Sequence, residues 1–141
     1  MKEPDWESCT EDDLWRYVAT HLVTHGIDTI LVGGAVVSIY TQGLYRSGDL
    51  DFVLLSFTSN TLPEVMKAIG FQVTNGRHYK HPRCKHLFVE FSNGPPGIGE
   101  DLQIQPAVVQ NEGKQIKIYS PTDCIRDRLA FEEFSTQLKE A

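Results

Sequence analysis

Asp49 and Asp51 stand one residue apart in the run GDLDFVLL. The apolar flanks read as a strand, and positions i and i+2 of a strand share a face. Two carboxylates therefore project together, while Leu50 and Phe52 project to the other side. Side by side the two acids repel, and in a low dielectric one takes up a proton unless a cation sits between them. Mg²⁺ suits that place, because it binds one or two carboxylates and completes its shell with phosphate oxygens of a substrate. The plainer alternative is a solvated strand face with two exposed acids.

The neighbouring residues favour chemistry. Gly33-Gly34 follows an apolar run and precedes the helix-forming AVVSIYTQ. Backbone N–H groups at a strand-to-helix turn hold phosphate. Ser38 and Ser47 add hydroxyls and Arg46 a cation just ahead of the acids. A metal-holding pair, a phosphate-holding turn and an arginine in one short segment describe a nucleoside-triphosphate site. A further acid, Glu90, interrupts the apolar run HLFVEF. It shares a face with Phe88, and Leu87, Val89 and Phe91 take the other. An acid in such a strand is costly unless it is metal-bound or paired with a nearby Arg or Lys.

On these residues the segment resembles the nucleotidyltransferase superfamily. That signature is an apolar residue, Gly-Gly or Gly-Ser, a helix, then an apolar-flanked Asp-x-Asp; here Val32, Gly33, Gly34 and Asp49-Leu50-Asp51-Phe52. The run YRSGDLDFVL looks like the subgroup associated with bacterial toxin–antitoxin and abortive-infection systems, where Arg-x-Ser/Thr-x-Asp-x-Asp is typical. FVEFSNGPPGIGED looks like a block of other bacterial members, and SPTDCIRDRL like the helix start that closes the core, with Arg128 facing the pocket. The resemblance runs from about Gly33 to Leu129 and then fades.

The resemblance implies a third acid that completes the metal site or acts as base; Glu90 fills that role, with Asp101 as the substitute. It implies Mg²⁺ or Mn²⁺ on Asp49, Asp51 and Glu90. It also implies transfer of a nucleoside monophosphate from an NTP to a hydroxyl of RNA, protein or a small molecule. Gly33, Gly34, Ser38, Arg46 and Ser47 are the expected nucleotide contacts. A toxin or antitoxin partner goes with the subgroup. The competing reading is a non-catalytic, nucleotide-binding antitoxin-like or partner-binding module, and the position of Glu90 relative to the aspartates separates the two. An antibiotic-modifying transferase is a third reading.

The segment GRHYKHPRCKHLF gathers Arg77, His78, Lys80, His81, Arg83, Lys85 and His86 in a chain of net charge −6. Three readings are open: a solvated loop, a contact for an anionic acceptor through Arg77, Lys80, His81 and Arg83, with Arg128 beside them, or zinc on His78, His81, Cys84 and His86. The zinc spacing matches no standard module. Gly94, Gly97 and Gly99 lie in a proline-filled loop and do not form a dinucleotide fingerprint.

The elements that must position these residues alternate along the chain. Thr10 and Asp13 open an amphipathic helix that Gly26 ends, over about 10–25. Strands are expected in IDTILV, DLDFVLL, FQVT, HLFVEF, QPAVVQ and KQIKIY, with NEGK as a hairpin turn. Helices are expected in AVVSIYTQ, TSNTLPEVMKAIG and from Pro121 to about 139. The alternation predicts an α/β (α+β) fold, a small mixed sheet flanked by helices. A core over about 27–119 and a length of 141 residues argue for one domain. The acidic balance argues against general binding to nucleic acid or anionic membrane. Three widely spaced cysteines fit a reducing cytoplasm. The acidic N-terminus does not read as a signal peptide, and no run reaches the length of a membrane span.

Overall fold

The computed structural model describes residues 1–55, 61–99 and 101–140, and for 131 and 133–140 the backbone alone. The elements run α1 (Glu11–Thr24), β1 (Thr29–Val32), α2 (Gly34–Tyr40), β2 (Asp49–Leu54), α3 (Leu62–Ala68), β3 (Gln72–Asn75), β4 (His78–Lys80), β5 (Phe88–Asn93), β6 (Ala107–Asn111), β7 (Lys114–Ile118) and α4 (Pro121–Glu140). The expected mixed sheet with flanking helices is observed. The stretch 56–60, where the expected third helix begins, lies outside the described residues. The strand not foreseen is β4, inside the basic segment.

Local chemistry explains the helix starts. Thr10 caps α1: the Asp13 amide donates to Thr10 Oγ1 at 3.1 Å, and the Thr10 amide donates to the Asp13 carboxylate at 3.0 Å. This reciprocal box satisfies two otherwise orphaned donors. Pro63 opens α3, and the Ser120 hydroxyl accepts the Asp123 amide at the start of α4. Glu112 and Gly113 both have positive φ, which closes the β6–β7 hairpin at NEGK.

The strands form one seven-stranded sheet in the order β3-β4-β5-β2-β1-β7-β6. β1 pairs antiparallel with β2 and parallel with β7, and β2 pairs parallel with β5. Helix α1 packs on β1, β7, α2 and α3, and α2 packs on β1, β2 and α4. One face of the central strands is buried without interruption. Leu50, Phe52, Val89 and Phe91 are at most 3% exposed, and the rings of Phe52 and Phe91 stack with centroids 5.4 Å apart. Each such aromatic or aliphatic side chain contributes roughly 1.5–3 kcal/mol by leaving water. The opposite face of the same strands carries the acids. Among the described residues no helix is long and apolar enough to cross a membrane.

Candidate active site

Strand direction decides what meets at the site. Because β1 and β2 are antiparallel, the end of β1 lies beside the start of β2, with Val32 opposite Asp51. The next residue, Gly33, therefore abuts the Asp51 side chain. Its φ is +77°, and a Cβ there would stand 2.7 Å from Asp51 Oδ2. No other residue type fits that turn without moving the carboxylate. Gly34 faces Ser47, whose Oγ would lie 3.3 Å from an added Cβ.

Parallel pairing of β2 with β5 places Glu90 directly opposite Asp51 and Phe88 opposite Asp49. Antiparallel pairing of β4 with β5 adds His78 on the far side of Glu90. Glu90 lies close enough for its charge to act on Asp51, and His78 Nε2 lies 2.8 Å from Glu90 Oε1. Burial, then the charges of Glu90 and Asp49, push the Asp51 carboxyl up to about 6, with His78 opposing. Like charges gathered in a partly buried place raise a carboxyl in this way, and a cation between them would relieve the repulsion. Hard oxygen donors suit Mg²⁺ or Mn²⁺, but the carboxylate oxygens of Asp49, Asp51 and Glu90 do not all lie within 4.8 Å of one another, so a shared ion requires a side chain to turn inward. Asp49 is exposed and shares the face of Asp51, outside the residues that line the cleft over Asp51 and Glu90.

A cleft of about 380 Å³ opens over these groups, walled by Gly33, Asp51, Glu90, Ser92, Asp127 and Arg128. Asp127 was not among the candidates drawn from the sequence. It reaches across from α4 and accepts a hydrogen bond from the Gly33 amide. Burial raises its pKa, against the opposing pull of Arg128 and of that amide. Its only sequence signal was an acid next to Arg128, lost in a helix rich in charge.

A second residue missed in the sequence steadies the approach to the aspartates. Glu11 in the first turn of α1 is 1% exposed. Its carboxylate accepts hydrogen bonds from Arg46 Nε at 3.1 Å and from the Ser47 amide at 3.0 Å. Burial pushes the Glu11 carboxyl up, but the bonds from Arg46, Ser47 and Ser38 outweigh it and hold it below the usual range. Arg46 and Ser38 thus face Glu11, and they support the segment rather than line the cleft. Ser47 works closer in: its Oγ donates to the Asp49 carbonyl and accepts the Asp49 amide.

Of the basic segment, His78 reaches Glu90 at the cleft, and the expected acceptor contacts of the segment go elsewhere. His81 is buried and stacks on Trp6 with centroids 3.7 Å apart. Arg83 pairs with Glu7 at 3.0 Å. Arg77 donates to Asn93, and the Lys80 ammonium lies over the Phe88 ring. Of the expected acceptor contacts, Arg128 alone is among the residues walling the cleft. The expected zinc group is regrouped as well. His78 goes to Glu90 and His81 to Trp6, while Cys84 and His86 meet Cys9. Asp101, the substitute third acid, is held by Arg126 and the Gln103 amide.

Neither a protein-family model nor a curated protein sequence matches the chain. Solved structures do match it in three dimensions. An antigenic nucleotidyltransferase-like protein from Paracoccidioides brasiliensis superposes with a TM-score of 0.65 at 19% identity, over 87% of this chain and 66% of that one. The fold is of the nucleotidyltransferase type. The chain spans just under two thirds of that protein's length. The lincosamide antibiotic adenylyltransferase LnuA, with lincomycin bound, superposes with a TM-score of 0.57 at 13% identity, over 89% of this chain and 96% of LnuA. ANT(2")-Ia in complex with adenylyl-2"-tobramycin gives 0.53 at 12% identity, over 90% and 91% of the two chains. Within this nucleotidyltransferase-type fold, Asp49, Asp51 and Glu90 occupy the two central strands β2 and β5.

Proposed function

We propose that the protein is a metal-dependent nucleotidyltransferase that moves a nucleoside monophosphate from an NTP to a hydroxyl of a small molecule. The observation that carries this reading is the pairing of Asp51 with Glu90 across parallel strands, with Asp49 on the same face and Gly33 pressed against the Asp51 carboxylate. Two of the structural neighbours are, by name, an antibiotic adenylyltransferase and a protein bound to an adenylylated antibiotic, which supports a small-molecule acceptor. The dispersal of Arg77, Lys80, His81 and Arg83 into structural contacts argues in the same direction.

In this reading Asp49, Asp51 and Glu90 would turn toward one another to hold Mg²⁺ or Mn²⁺, which when bound neutralises the triphosphate and the departing pyrophosphate. Asp49, exposed on the same strand face, would meet the triphosphate from the solvent side. Gly33 and Gly34 keep side chains out of the path of the phosphates, and Ser47 fixes the strand start. The acceptor oxygen attacks the α-phosphorus as the bond to pyrophosphate breaks. Glu90 takes the acceptor proton, oriented by its hydrogen bond to His78. Arg128 balances charge on the opposite wall.

The second reading, a nucleotide-binding module without transfer, is favoured by one contact: Asp127 occupies the Gly33 amide. Incubation with labelled NTPs, Mg²⁺ or Mn²⁺ and a panel of aminoglycosides, lincosamides, RNA and cell lysate separates the readings. Label transfer to a small molecule with release of pyrophosphate is expected. Transfer to RNA or protein overturns the acceptor assignment. Calorimetric binding of Mg-NTP with no transfer to any acceptor supports the binding module, and a toxin or antitoxin is then sought by co-purification. Absence of both binding and transfer removes both readings.

A further inference from the structure

A second cluster of reactive side chains lies away from the acidic cleft. Cys9, the residue before the α1 cap, meets Cys84 across 75 residues of sequence, with the sulfurs 4.0 Å apart. Cys84 Sγ lies 3.8 Å from His86 Nδ1. The donor atoms of Cys9, Cys84 and His86 all fall within 4.8 Å of one another, the one such group of three among the described residues. The two cysteines are 2% and 1% exposed, and His86 closes the group from the surface side.

The orientation of His86 sets this group apart from a chance meeting of buried thiols. Its Nε2 is 2.7 Å from the Cys9 carbonyl oxygen, which accepts only. Nε2 therefore carries the proton and donates, and Nδ1 keeps its lone pair, on the side of the Cys84 sulfur. Metal-binding histidines are fixed in this way, the remote nitrogen donating to a backbone carbonyl so that the near one can bind. Here the carbonyl belongs to Cys9 itself.

The spacing also fits. Bonds of about 2.3 Å to sulfur and about 2.05 Å to nitrogen set S···S near 4.0 Å and S···N near 3.8 Å in a trigonal site, and roughly 0.2 Å less in a tetrahedral one. A disulfide would need the sulfurs to close to about 2.05 Å. Two thiolates and an imidazole select soft, thiophilic ions over Mg²⁺.

We propose that Cys9, Cys84 and His86 form a binding site for a thiophilic cation, Zn²⁺ or Cu⁺, separate from the acidic cleft. A trigonal Cu⁺ needs no further ligand, and a tetrahedral Zn²⁺ adds a water. Bound there, the ion ties the segment ahead of α1 to the loop that enters β5, four residues before Glu90.

The test uses the reduced full-length chain. Zn²⁺ is titrated against a chromophoric chelator, Cu⁺ anaerobically against a Cu⁺ chelator, and Co²⁺ as a spectroscopic stand-in. One equivalent with a thiolate charge-transfer band is expected, and the tighter of the Zn²⁺ and Cu⁺ arms names the ion. The band separates this site from any ion held by the carboxylates, which offer no sulfur. Cys84→Ser and His86→Gln should weaken binding at least about 100-fold, the upper end of what loss of a mere outer-shell partner costs. Cys124→Ser should change nothing. His86→Gln alters a surface side chain and decides the matter if a cysteine variant fails to fold. The proposal is overturned by the absence of the band, by equal binding in His86→Gln, or by a Cys9–Cys84 disulfide on mild oxidation in a protein that takes up no metal when reduced.

Discussion

Two clusters of charge stand out along the chain, the acids of β2 and β5 and the basic stretch around β4, and the fold treats them in opposite ways. The acids are brought together. Asp51 and Glu90 face each other across one strand pair, Asp49 shares their face, and Asp127 arrives from α4. Apart from His78, which joins the acids at Glu90, the basic residues are taken apart: Arg83 goes to Glu7, His81 into the core against Trp6, Arg77 to Asn93 and Lys80 over Phe88. Charges that find partners within the fold have settled into structural work. Charges held in mutual repulsion keep a capacity that the chain itself does not satisfy. That difference, rather than the local density of charge, is what the proposed function rests on.

The contrast breaks most sharply if the acids prove dispensable. Replacing Asp49 and Asp51 together by alanine should remove Mg-dependent NTP binding and reduce any transfer on the order of 10²–10³-fold or more. The far-ultraviolet circular dichroism should stay unchanged. Calorimetry and a labelled-nucleotide assay measure this, and retained affinity would dissolve the distinction.

Gly33→Ala comes next. The added methyl would lie 2.7 Å from Asp51 Oδ2 at a φ of +77°. Strain of about 1–3 kcal/mol is expected in urea denaturation, with nucleotide affinity falling because the carboxylate must move.

Asp51→Asn sharpens the comparison through its sign. The folded-state pKa of Asp51 is raised to about 6 from a reference value of 3.8, so the native state binds that proton more tightly than the unfolded chain. Stability of the wild type should therefore fall as pH rises from about 4 to about 6 and level off above. The shift corresponds to at most about 3 kcal/mol, and solvent screening at a partly exposed group reduces it to roughly 1–2. Asp51→Asn should thus be more stable than the wild type at pH 7 by that amount, with the gain vanishing near pH 4, while nucleotide binding is lost. Denaturation curves across this range check it.

Arg83→Ala is the smallest expected effect. An exposed pair with Glu7 is worth less than about 1 kcal/mol, and nucleotide affinity should not change. A large loss of binding would return the basic segment to the functional region.

The elements that were legible in the sequence are those with local causes. The Thr10–Asp13 box, the NEGK turn and the alternation of Asp49 and Asp51 with Leu50 and Phe52 each follow from residues within a few positions. What was not legible depends on strand order and long-range approach. His78–Lys80 is only three residues long and basic, so its sheet position could not be read from periodicity. Glu11 reads as an ordinary first-turn acid until Arg46 and Ser47 close on it from 35 and 36 residues away. Cys9 and Cys84 carry no spacing that suggests a pair. Glu90 was singled out by its apolar neighbours, but its place opposite Asp51 is a fact of register.

That register has a consequence for how the chain tolerates insertion. Glu90 lies between Val89 and Phe91, both buried, and faces Asp51, itself between Leu50 and Phe52. The reading frame of the strand is therefore the same for chemistry and for packing. Sliding β5 by a single residue would carry the carboxylate into the aromatic layer and turn Val89 or Phe91 out to water. A slip of one residue in β5 therefore costs core and site together, and a length change of one in the loop before β5 has to be absorbed within the loop. A slip of two keeps the apolar face inward but sets Phe88 or Ser92 opposite Asp51, so an even slip is the one that disarms the site under a sound core.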